Sequence, residues 1–396
     1  MILQHVKMSI SKDISFSAIV AGFIAVVIAY ASSAVIIFHA AQTGGLSTAQ
    51  TASWLASASL GCGLVTFFLS LKLKMPIITA WSTPGAALLV TALPLYSLSE
   101  AIGAYIISAI LVIVFGVTGL FQKVMRKIPM SIIAAMLAGI LLQFCLQAFA
   151  QIQLQGALVG VMCIGYFISK ILLPRYAIVC TLLIGSALVF FRHDLAWSSI
   201  DWSMTIPVLT MPTWSVSAIF GIALPLFIVA MTSQNASGLA VMQTSGYQAP
   251  ESKLITHTGI MSLLTAPFGS HGVTLSSITA AICTSSDCHP NAEKRYIAGL
   301  SCAFFYVLFA VFAQSMVELF ALVPKAFIVA IAGLALFSAC SHALKSALAE
   351  ENNLDAAMLT FMVTASNLTL WGVGSAFWGL CAGVLLYLAM QQLQKK

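Results

Sequence analysis

Two segments of this chain each look like half of a membrane helix, and they occupy matching places in its two halves. Residues 75–90 read MPIITAWSTPGAALLV and residues 266–281 read APFGSHGVTLSSITAA, so their starts lie 191 residues apart in a chain of 396. In each, a proline is followed by an extended stretch and then by helix-forming sequence. The helix-forming parts, residues 84–93 and 275–285, are about half of the roughly 20 residues that a full span needs. Interrupted segments at corresponding positions are typical of a transporter's binding site.

The composition indicates that these segments belong to a multi-span membrane protein. Hydrophobic residues make up 60% of the chain and charged residues 7%, whereas soluble proteins carry about 25% charged residues. Backbone in hydrocarbon must satisfy its own hydrogen bonds, so the long uncharged runs predict an all-α polytopic protein. An enzyme is not expected, because the chain has almost no soluble mass and lacks hydrolase, metalloprotease and nucleotide-loop motifs. Cys283, Cys288 and His289 have no second pair of ligands near them, so no metal is expected.

The distribution of basic residues predicts the topology. Cutting the chain at its polar, glycine and proline loops gives about 14 segments. With the N-terminus in the cytoplasm, the inside loops hold fifteen of the seventeen basic residues, and only Arg192 and Lys325 lie outside. This positive-inside bias predicts 14 transmembrane segments with both termini cytoplasmic. The net charge of +6 is explained by these loops facing membrane lipid, so no nucleic-acid partner is expected.

Further landmarks recur at nearly the same offset as the broken segments. Glu100 and Glu293 each begin the helix that follows a broken segment, and Pro129 and Pro324 each open an Ile/Ala-rich span. Seven segments per half is an odd number, so the second half must be inverted relative to the first. We therefore predict a 7+7 inverted repeat in which segments 3 and 10 are broken.

This inversion places two helix N-termini opposite each other near the middle of the membrane. Thr83 and Pro84 form a suitable N-cap and first helical residue for segment 3, and Thr274 takes the matching place in segment 10. Helix N-termini attract anions through free N–H groups and the helix dipole. All carboxylates lie at span ends or in loops, and Glu100 completes a capping box with Ser97. Because a buried cation would need an acidic partner, the expected cargo is a small anion or a neutral molecule.

The chain resembles the benzoate/proton symporter family, the BenE-type benzoate transporters. The residues that carry the resemblance are IITAWSTPGAALL, VAMTSQNASG, FGSHGVTLSSITAAIC and CHPNAEKRYIAG. The family is related in architecture to nucleobase permeases and sulfate-type anion transporters. The resemblance implies a multi-pass protein of the bacterial inner membrane that takes up a small anion with protons, has no other cofactor, and can form a homodimer. It also implies two repeats, at about residues 1–205 and 206–396. Across these repeats, a core domain is expected from about residues 14–127 with 214–320, and a gate domain from about residues 128–192 with 321–394.

By position, the resemblance implies a substrate site formed by segments 1, 3, 8 and 10. The residues concerned are Tyr30, Trp81, Ser82, Thr83, Pro84, Gly85, Gln234, Asn235, His271, Gly272, Val273, Thr274, Leu275 and Ser276. The amides Gln234 and Asn235 replace the acidic residue that nucleobase permeases carry on segment 8. This departure disfavours a nucleobase and suits a carboxylate, which a buried acid would repel.

We expect a benzoate carboxylate to meet the two helix N-termini while its ring lies against Trp81, Tyr30 or Phe227. The alternative for Trp81 is ordinary packing between helices, and for the two amides it is interhelical hydrogen bonding. His271 is the first candidate for the proton carrier because histidine titrates near neutral pH, and Asp287 is the second. A lone membrane histidine can equally be a packing residue.

Two other functions remain open from the sequence. The first is a transporter of the same architecture for a nucleobase, an inorganic anion such as sulfate, or another aromatic acid. The second is a passive anion channel, because the same pair of helix N-termini could serve an open pore. Competition between candidate substrates distinguishes the possible cargoes of the first alternative. Accumulation of substrate against its gradient would exclude the passive channel.

Overall fold

The computed structural model describes residues 13–119, 129–192, 202–286, 288–371, 373 and 375–394. In the first half, the elements are α1 (Phe16–Ala29), α2 (Val35–Thr43), α3 (Thr48–Leu73), β1 (Thr79–Trp81), α4 (Thr83–Ala92), α5 (Leu98–Thr118), α6 (Met130–Ala150), α7 (Gly156–Leu172) and α8 (Ala177–Arg192). In the second half, they are α9 (Val216–Ala218), α10 (Leu224–Val229), α11 (Ala236–Thr244), α12 (Glu251–Thr265), β2 (Val273–Leu275), α13 (Ile278–Thr284), α14 (Tyr296–Val311), α15 (Ala313–Leu322), α16 (Lys325–Ala347), α17 (Leu354–Ala365) and α18 (Ser375–Gln394).

The helices are those of a membrane protein, as the sequence predicted. Seven helical stretches of the described chain are long and apolar enough to cross a bilayer, among them α3, α5 and α16, and shorter apolar helices include α4 and α7. Large apolar side chains such as Phe16 and Phe191 are more than 80% exposed on the outside, where lipid would cover them. The count of 14 segments stays a prediction.

Both interrupted segments contain a short strand followed by a short helix. β1 and β2 pair antiparallel, with Thr79 opposite Leu275 and Trp81 opposite Val273. The predicted helix starts need correction by a few residues. The N-cap of α4 is Ser82, whose side chain accepts from the N–H of Gly85, and Thr83 is the first helical residue.

On the other strand, the predicted helix start at Leu275 is wrong, because Leu275 belongs to β2 and α13 begins only at Ile278. Thr274 therefore caps no helix. Its hydroxyl donates to the carbonyl of Ala80 at 3.1 Å, across the two-stranded ribbon that β1 and β2 form. Pairing with β1 takes precedence over helix propensity here, because two strands together satisfy backbone groups that neither could satisfy alone.

Hydroxyl side chains of α3 satisfy the backbone of the extended segments. Ser70 accepts from the N–H of Ile77 and donates to its carbonyl, both at 3.1 Å. Thr66 accepts from the N–H of Thr79 at 3.0 Å. At the other end of the helix, the Ser53 hydroxyl donates to the carbonyl of Phe268 at 2.9 Å. In hydrocarbon these groups would otherwise lack partners, so α3 acts as the support on which both extended segments rest.

On the β2 side, α12 provides the same support. The hydroxyl of Ser262 accepts from the N–H of Val273 at 2.8 Å and lies 3.2 Å from its carbonyl. Gly269 and Gly272 precede the strand with φ values of +97° and +137°, which only glycine adopts without strain. These two glycines let the chain turn from α12 into the ribbon.

The landmarks that predicted the repeat are found at helix starts. Pro129 immediately precedes α6 and Pro324 immediately precedes α16, and the capping box of Ser97 and Glu100 is confirmed at the start of α5. Helices α6 and α16 pack against each other. Their thiols make reciprocal contacts, from Cys145 to the carbonyl of Gly333 at 3.7 Å and from Cys340 to that of Ala138 at 3.9 Å.

Replacing Thr66 by valine should destabilise the fold, because the N–H of Thr79 then has no acceptor inside the membrane. We expect a loss of about 1–3 kcal/mol, the usual cost of an orphaned buried donor. Thermal unfolding of purified protein in detergent, followed by tryptophan fluorescence, measures this loss as a lower Tm.

Thr258→Val is the matched control for this variant. Thr258 is also fully buried, but its hydroxyl donates within its own helix, to the carbonyl of Ile255 at 2.8 Å, so its loss leaves no N–H without a partner. Equal Tm values for the two variants would contradict the role assigned to Thr66.

Candidate functional site

An aromatic cluster surrounds the end of β1. Trp81 lies edge-on to Tyr30, with ring centroids 5.2 Å apart, and to Tyr306 of α14, at 5.9 Å. Phe309 contacts the other side of Tyr30 at 4.8 Å. The Nε1–H of Trp81 and the hydroxyl of Tyr306 are buried with no hydrogen-bond partner among the described residues. Buried polar groups normally find a partner, so two unpartnered groups in one cluster indicate room for a polar ligand or a water.

Tyr30 occupies an irregular part of the first span. Residues Tyr30–Ala34 form a π-helical turn between α1 and α2, and such turns are frequent at functional sites. The Tyr30 hydroxyl is hydrogen-bonded to Ser59 of α3 at 2.5 Å. This bond keeps the ring of Tyr30 against Trp81.

The N-terminus of α4 begins immediately after Trp81. Ser82 caps the helix, Pro84 occupies its first turn, and the Thr83 hydroxyl bonds to that of Ser33 at 2.7 Å. Proline has no N–H, Gly85 donates to the Ser82 hydroxyl and Ala86 donates to the Ser82 carbonyl, so among the described first-turn residues the N–H of Thr83 remains for a ligand. The N-terminus of α4 thus begins two residues after Trp81, whose Nε1–H has no partner within the described chain.

His271 connects three parts of the site and has a defined tautomer. Its Nδ1 accepts from the Nε1–H of Trp54 at 2.9 Å, and its Nε2 lies 2.9 Å from the carbonyl oxygen of Ser82. Tryptophan can only donate, so Nδ1 carries no proton, and Nε2–H must donate to Ser82. The ring is neutral in this arrangement. A proton can enter at Nδ1 only if Trp54 moves away.

The two neighbouring amides have different surroundings. Asn235 is fully buried, and its Oδ1 accepts from the N–H of Leu275 at 2.9 Å, so it supports the same edge of β2, the one facing away from β1, as Ser262 of α12. Gln234 is half-buried, and its side chain makes no hydrogen bond within the described residues. Both lie in a second π-helical turn, Ala230–Asn235. One helical turn later, Gly238 allows close packing, since a Cβ there would lie 2.6 Å from the Cβ of Leu275.

The remaining predicted residues divide into two groups. Gly272, Val273, Thr274 and Ser276 lie in or beside β2, and the Ser276 hydroxyl accepts from Thr279 at 2.6 Å. Phe227 is buried but packs against Phe115 of α5, with centroids 4.8 Å apart, and no contact joins it to Trp81 or Tyr30 within the described chain. Asp287 lies outside the described residues.

Tyr306 and Trp54 were not predicted from the sequence. Each is an aromatic residue in an apolar span with no nearby motif, and its importance depends on contacts with residues more than 200 positions away, Trp81 for Tyr306 and His271 for Trp54. The only available signal is the polar group that each carries, which needs a partner when buried.

A large apolar cavity adjoins the aromatic cluster. Its volume is about 610 Å³, and Tyr30 and Phe309 form one wall. The opposite wall is formed by Leu182, Phe190 and other residues of α8, with Phe327 of α16. Tyr30 thus separates this cavity from the buried Trp81. A small aromatic molecule fits in such a volume.

Among the described residues, no three His, Cys, Asp or Glu side chains come close enough to hold a metal ion. The polar groups nearest Trp81 in the structure or along the chain are the hydroxyls of Tyr30, Tyr306, Ser82 and Thr83 and the backbone N–H groups at the start of α4. Such groups can hold an anion through hydrogen bonds without a formal positive charge.

Asn235→Leu and Gln234→Leu should separate the two amides by their effect on stability. Loss of Asn235 leaves the N–H of Leu275 without an acceptor, so its Tm in detergent should fall, by an amount corresponding to about 1–3 kcal/mol. Gln234→Leu should leave the Tm within about one degree of wild type, because no partner is orphaned. A stable Asn235→Leu protein would show that the amide does not support the ribbon.

The comparisons with known proteins agree with this architecture. The family model for benzoate membrane transport proteins matches residues 12–389. The inner membrane protein YdcO of Escherichia coli is 45% identical over 372 residues, which cover 94% of this chain and 95% of that protein. The benzoate membrane transport protein of Acinetobacter baylyi is 41% identical over 379 residues, 96% of either chain.

Solved structures show the same fold at low identity. The transmembrane domain of the cyanobacterial bicarbonate transporter BicA gives a TM-score of 0.62 at 14% identity and covers 94% of this chain and 98% of that one. SLC26A9 gives a TM-score of 0.63 at 13% identity and covers 95% of this chain but 66% of the longer SLC26A9 chain. The family model and both sequence relatives extend over nearly the whole chain, and the chain therefore belongs to the benzoate membrane transport protein family.

Proposed function

We propose that this protein imports benzoate, or a similarly small aromatic carboxylate, together with protons, by alternating access. The observation that carries the proposal is the buried, unpartnered Nε1–H of Trp81, placed among aromatic rings at the N-terminus of α4. A donor of this kind suits a carboxylate oxygen, and the surrounding rings suit an aromatic ring. The Acinetobacter baylyi relative, named as a benzoate membrane transport protein, supports the choice of cargo.

The carboxylate would sit between the two interrupted segments. A carboxylic acid with a pKa of about 4 is ionised near neutral pH, and the oxygens would accept from Trp81, the Tyr306 hydroxyl and the N-terminus of α4. α13 has only seven residues, so we assign it a smaller part in binding the carboxylate than the sequence suggested. The ring would lie against Tyr30, on the side of the large apolar cavity.

The proposal includes a fourteen-segment architecture with an inverted repeat. The antiparallel pairing of β1 with β2 and the reciprocal thiol contacts of Cys145 and Cys340 support such a two-fold relation. The core domain would be formed by residues 14–127 and 214–320, and the gate domain by residues 128–192 and 321–394. The cavity beside Tyr30 would then lie between core and gate, where alternating access opens and closes a path.

The protein would lie in a bacterial inner membrane, with both termini cytoplasmic, and could dimerise through its gate domain. The proton is the only coupling agent that we propose. His271 is the first candidate carrier, with Asp287 second. Protonation of His271 at Nδ1 would break the bond from Trp54, so proton entry would loosen the ribbon from α3. This gives a physical link between proton binding and a conformational change.

Uptake into proteoliposomes tests the function directly. With an inward proton gradient, purified protein should accumulate radiolabelled benzoate above its external concentration, and a protonophore should abolish the accumulation. Unlabelled benzoate should compete better than uracil, sulfate or bicarbonate. His271→Gln should lose the dependence on the pH gradient if this residue carries the proton, and unchanged dependence would exclude it.

Other results would contradict the proposal. Uptake that only equilibrates, regardless of the protonophore, would indicate a passive channel. Stronger competition by uracil or sulfate would indicate another cargo for the same architecture.

Trp81→Phe tests the donor while keeping an aromatic ring at the same place. Removing a hydrogen bond to a charged group costs about 1.5–3 kcal/mol, so the KM for benzoate should rise by about tenfold or more. Trp214→Phe is the control, because Trp214 is 64% exposed and lies away from the cluster. If both variants transport with the wild-type KM, Trp81 does not bind the carboxylate.

A further inference from the structure

A second cavity is lined in part by the short helix α13. Its volume is about 520 Å³. One wall is apolar and is formed by Ile28 of α1 with Ile278 and Ile282 of α13, while the facing wall carries Tyr166, Lys170 and Ser338. It therefore lies between the helices that carry the central ribbon and the helices α7, α8 and α16.

Lys170 is the charged group of this cavity, and it has aromatic neighbours but no acidic one. Its Nζ lies 4.7 Å from the ring centroid of Phe337 and 5.6 Å from that of Tyr166. Within the described residues, the one salt bridge joins Lys294 to Asp13, so no described carboxylate neutralises Lys170. Lys170 is half-buried as a residue, and its ammonium group remains able to pair with an anion.

A lysine in the last turn of a helix also has an ordinary explanation, because it stabilises the helix C-terminus. Lys345 is a lysine to which only that explanation applies. It lies in the last turn of α16, is exposed, and forms no part of the cavity. Lys170 differs from it by its aromatic neighbours and by the cavity that it lines.

The chemistry of this space matches one class of ligand. An ammonium group attracts a carboxylate, and Tyr166, which lines the cavity, offers its ring to an aromatic ring. The hydroxyls of Tyr166 and Ser338 lie 3.4 Å apart, a long contact that leaves both able to donate elsewhere. The isoleucines of the facing wall exclude strongly hydrated inorganic ions more than they exclude an aromatic acid.

We propose that this cavity is a second binding site, in which Lys170 holds the carboxylate of an aromatic acid. The acid would bind there while it moves between the central site at Trp81 and the side of the membrane on which Lys170 lies. The positive-inside pattern assigns that side to the cytoplasm. The identity of the ligand rests on the proposed function. Ile278, which lines this cavity, is the first residue of α13 and lies three residues after the end of β2, so the cavity borders the helix that follows the central ribbon.

Transport measured from each side of the membrane tests this site. In vesicles of defined orientation, Lys170→Gln should raise the half-saturating benzoate concentration about fivefold when benzoate is presented on the Lys170 side, a fold-change typical of losing a partly exposed ion pair. From the opposite side it should change little. Lys170→Arg should restore the wild-type value, and Lys345→Gln, the matched control, should have no effect from either side.

Chemical protection provides a measurement that does not require transport. Acylation of lysines by a water-soluble anhydride, quantified by mass spectrometry of the purified protein, should be slowed by benzoate at Lys170 but not at Lys345. Cyclohexylamine, a cation with a ring, should give no protection. Protection without any benzoate uptake would overturn the proposed function and leave this binding site standing. Absence of protection, or a Lys170→Gln variant that behaves like Lys345→Gln, would overturn the site while the proposed function stands.

Discussion

The structure depends on how a two-stranded ribbon is kept inside a membrane protein. Extended backbone exposes N–H and C=O groups that hydrocarbon cannot satisfy, and β1 with β2 is too short to satisfy them alone. The missing partners are side chains: Thr66 and Ser70 of α3, Ser262 of α12 and the amide of Asn235. These groups allow the helices on each side of the ribbon to start in the protein interior.

Because these hydrogen bonds satisfy most of the backbone around the ribbon, the buried polar groups that lack a partner are informative. Around the ribbon, most buried polar atoms have a partner at hydrogen-bond distance, whereas Trp81 Nε1, the Tyr306 hydroxyl and the Ser270 hydroxyl do not. Of these three, Trp81 and Tyr306 belong to one aromatic cluster. Leaving two such groups unpaired costs about 1–3 kcal/mol each. A fold that satisfies its strand edges so fully, and yet leaves these two donors free, is consistent with a site that is completed by its ligand.

Much of this arrangement could be predicted from the sequence, because it depends on local chemistry. The prolines before α6 and α16, the capping box at Glu100 and the change from extended chain to short helix after β1 and β2 were all recognisable within a few residues. The exact start of α4 was not, because Ser82 and Thr83 are equally good caps and Pro84 is tolerated in either register. The start of α13 was missed because pairing with β1 is a long-range effect.

Features that depend on distant contacts had no local signal. The π-helical turns at Tyr30 and at Gln234 arise within ordinary apolar sequence. The bond from Trp54 to His271 joins residues 217 positions apart. Sequence reasoning identified His271 by its titration range, but only the structure shows that both ring nitrogens are engaged, so the residue supports the ribbon whether or not it also carries a proton.

A site without formal charge has a consequence for a transporter that works across a membrane potential. Moving one elementary charge through 100 mV costs about 2.3 kcal/mol. The groups around Trp81 and the neutral ring of His271 carry no net charge, so in the proposed alternating-access cycle the empty carrier would reorient without this cost. With one carboxylate and one proton bound, the loaded carrier would also be neutral. Lys170, by contrast, lies outside this centre, beside a cavity of its own, where a permanent charge can attract an anion without having to cross the field with it.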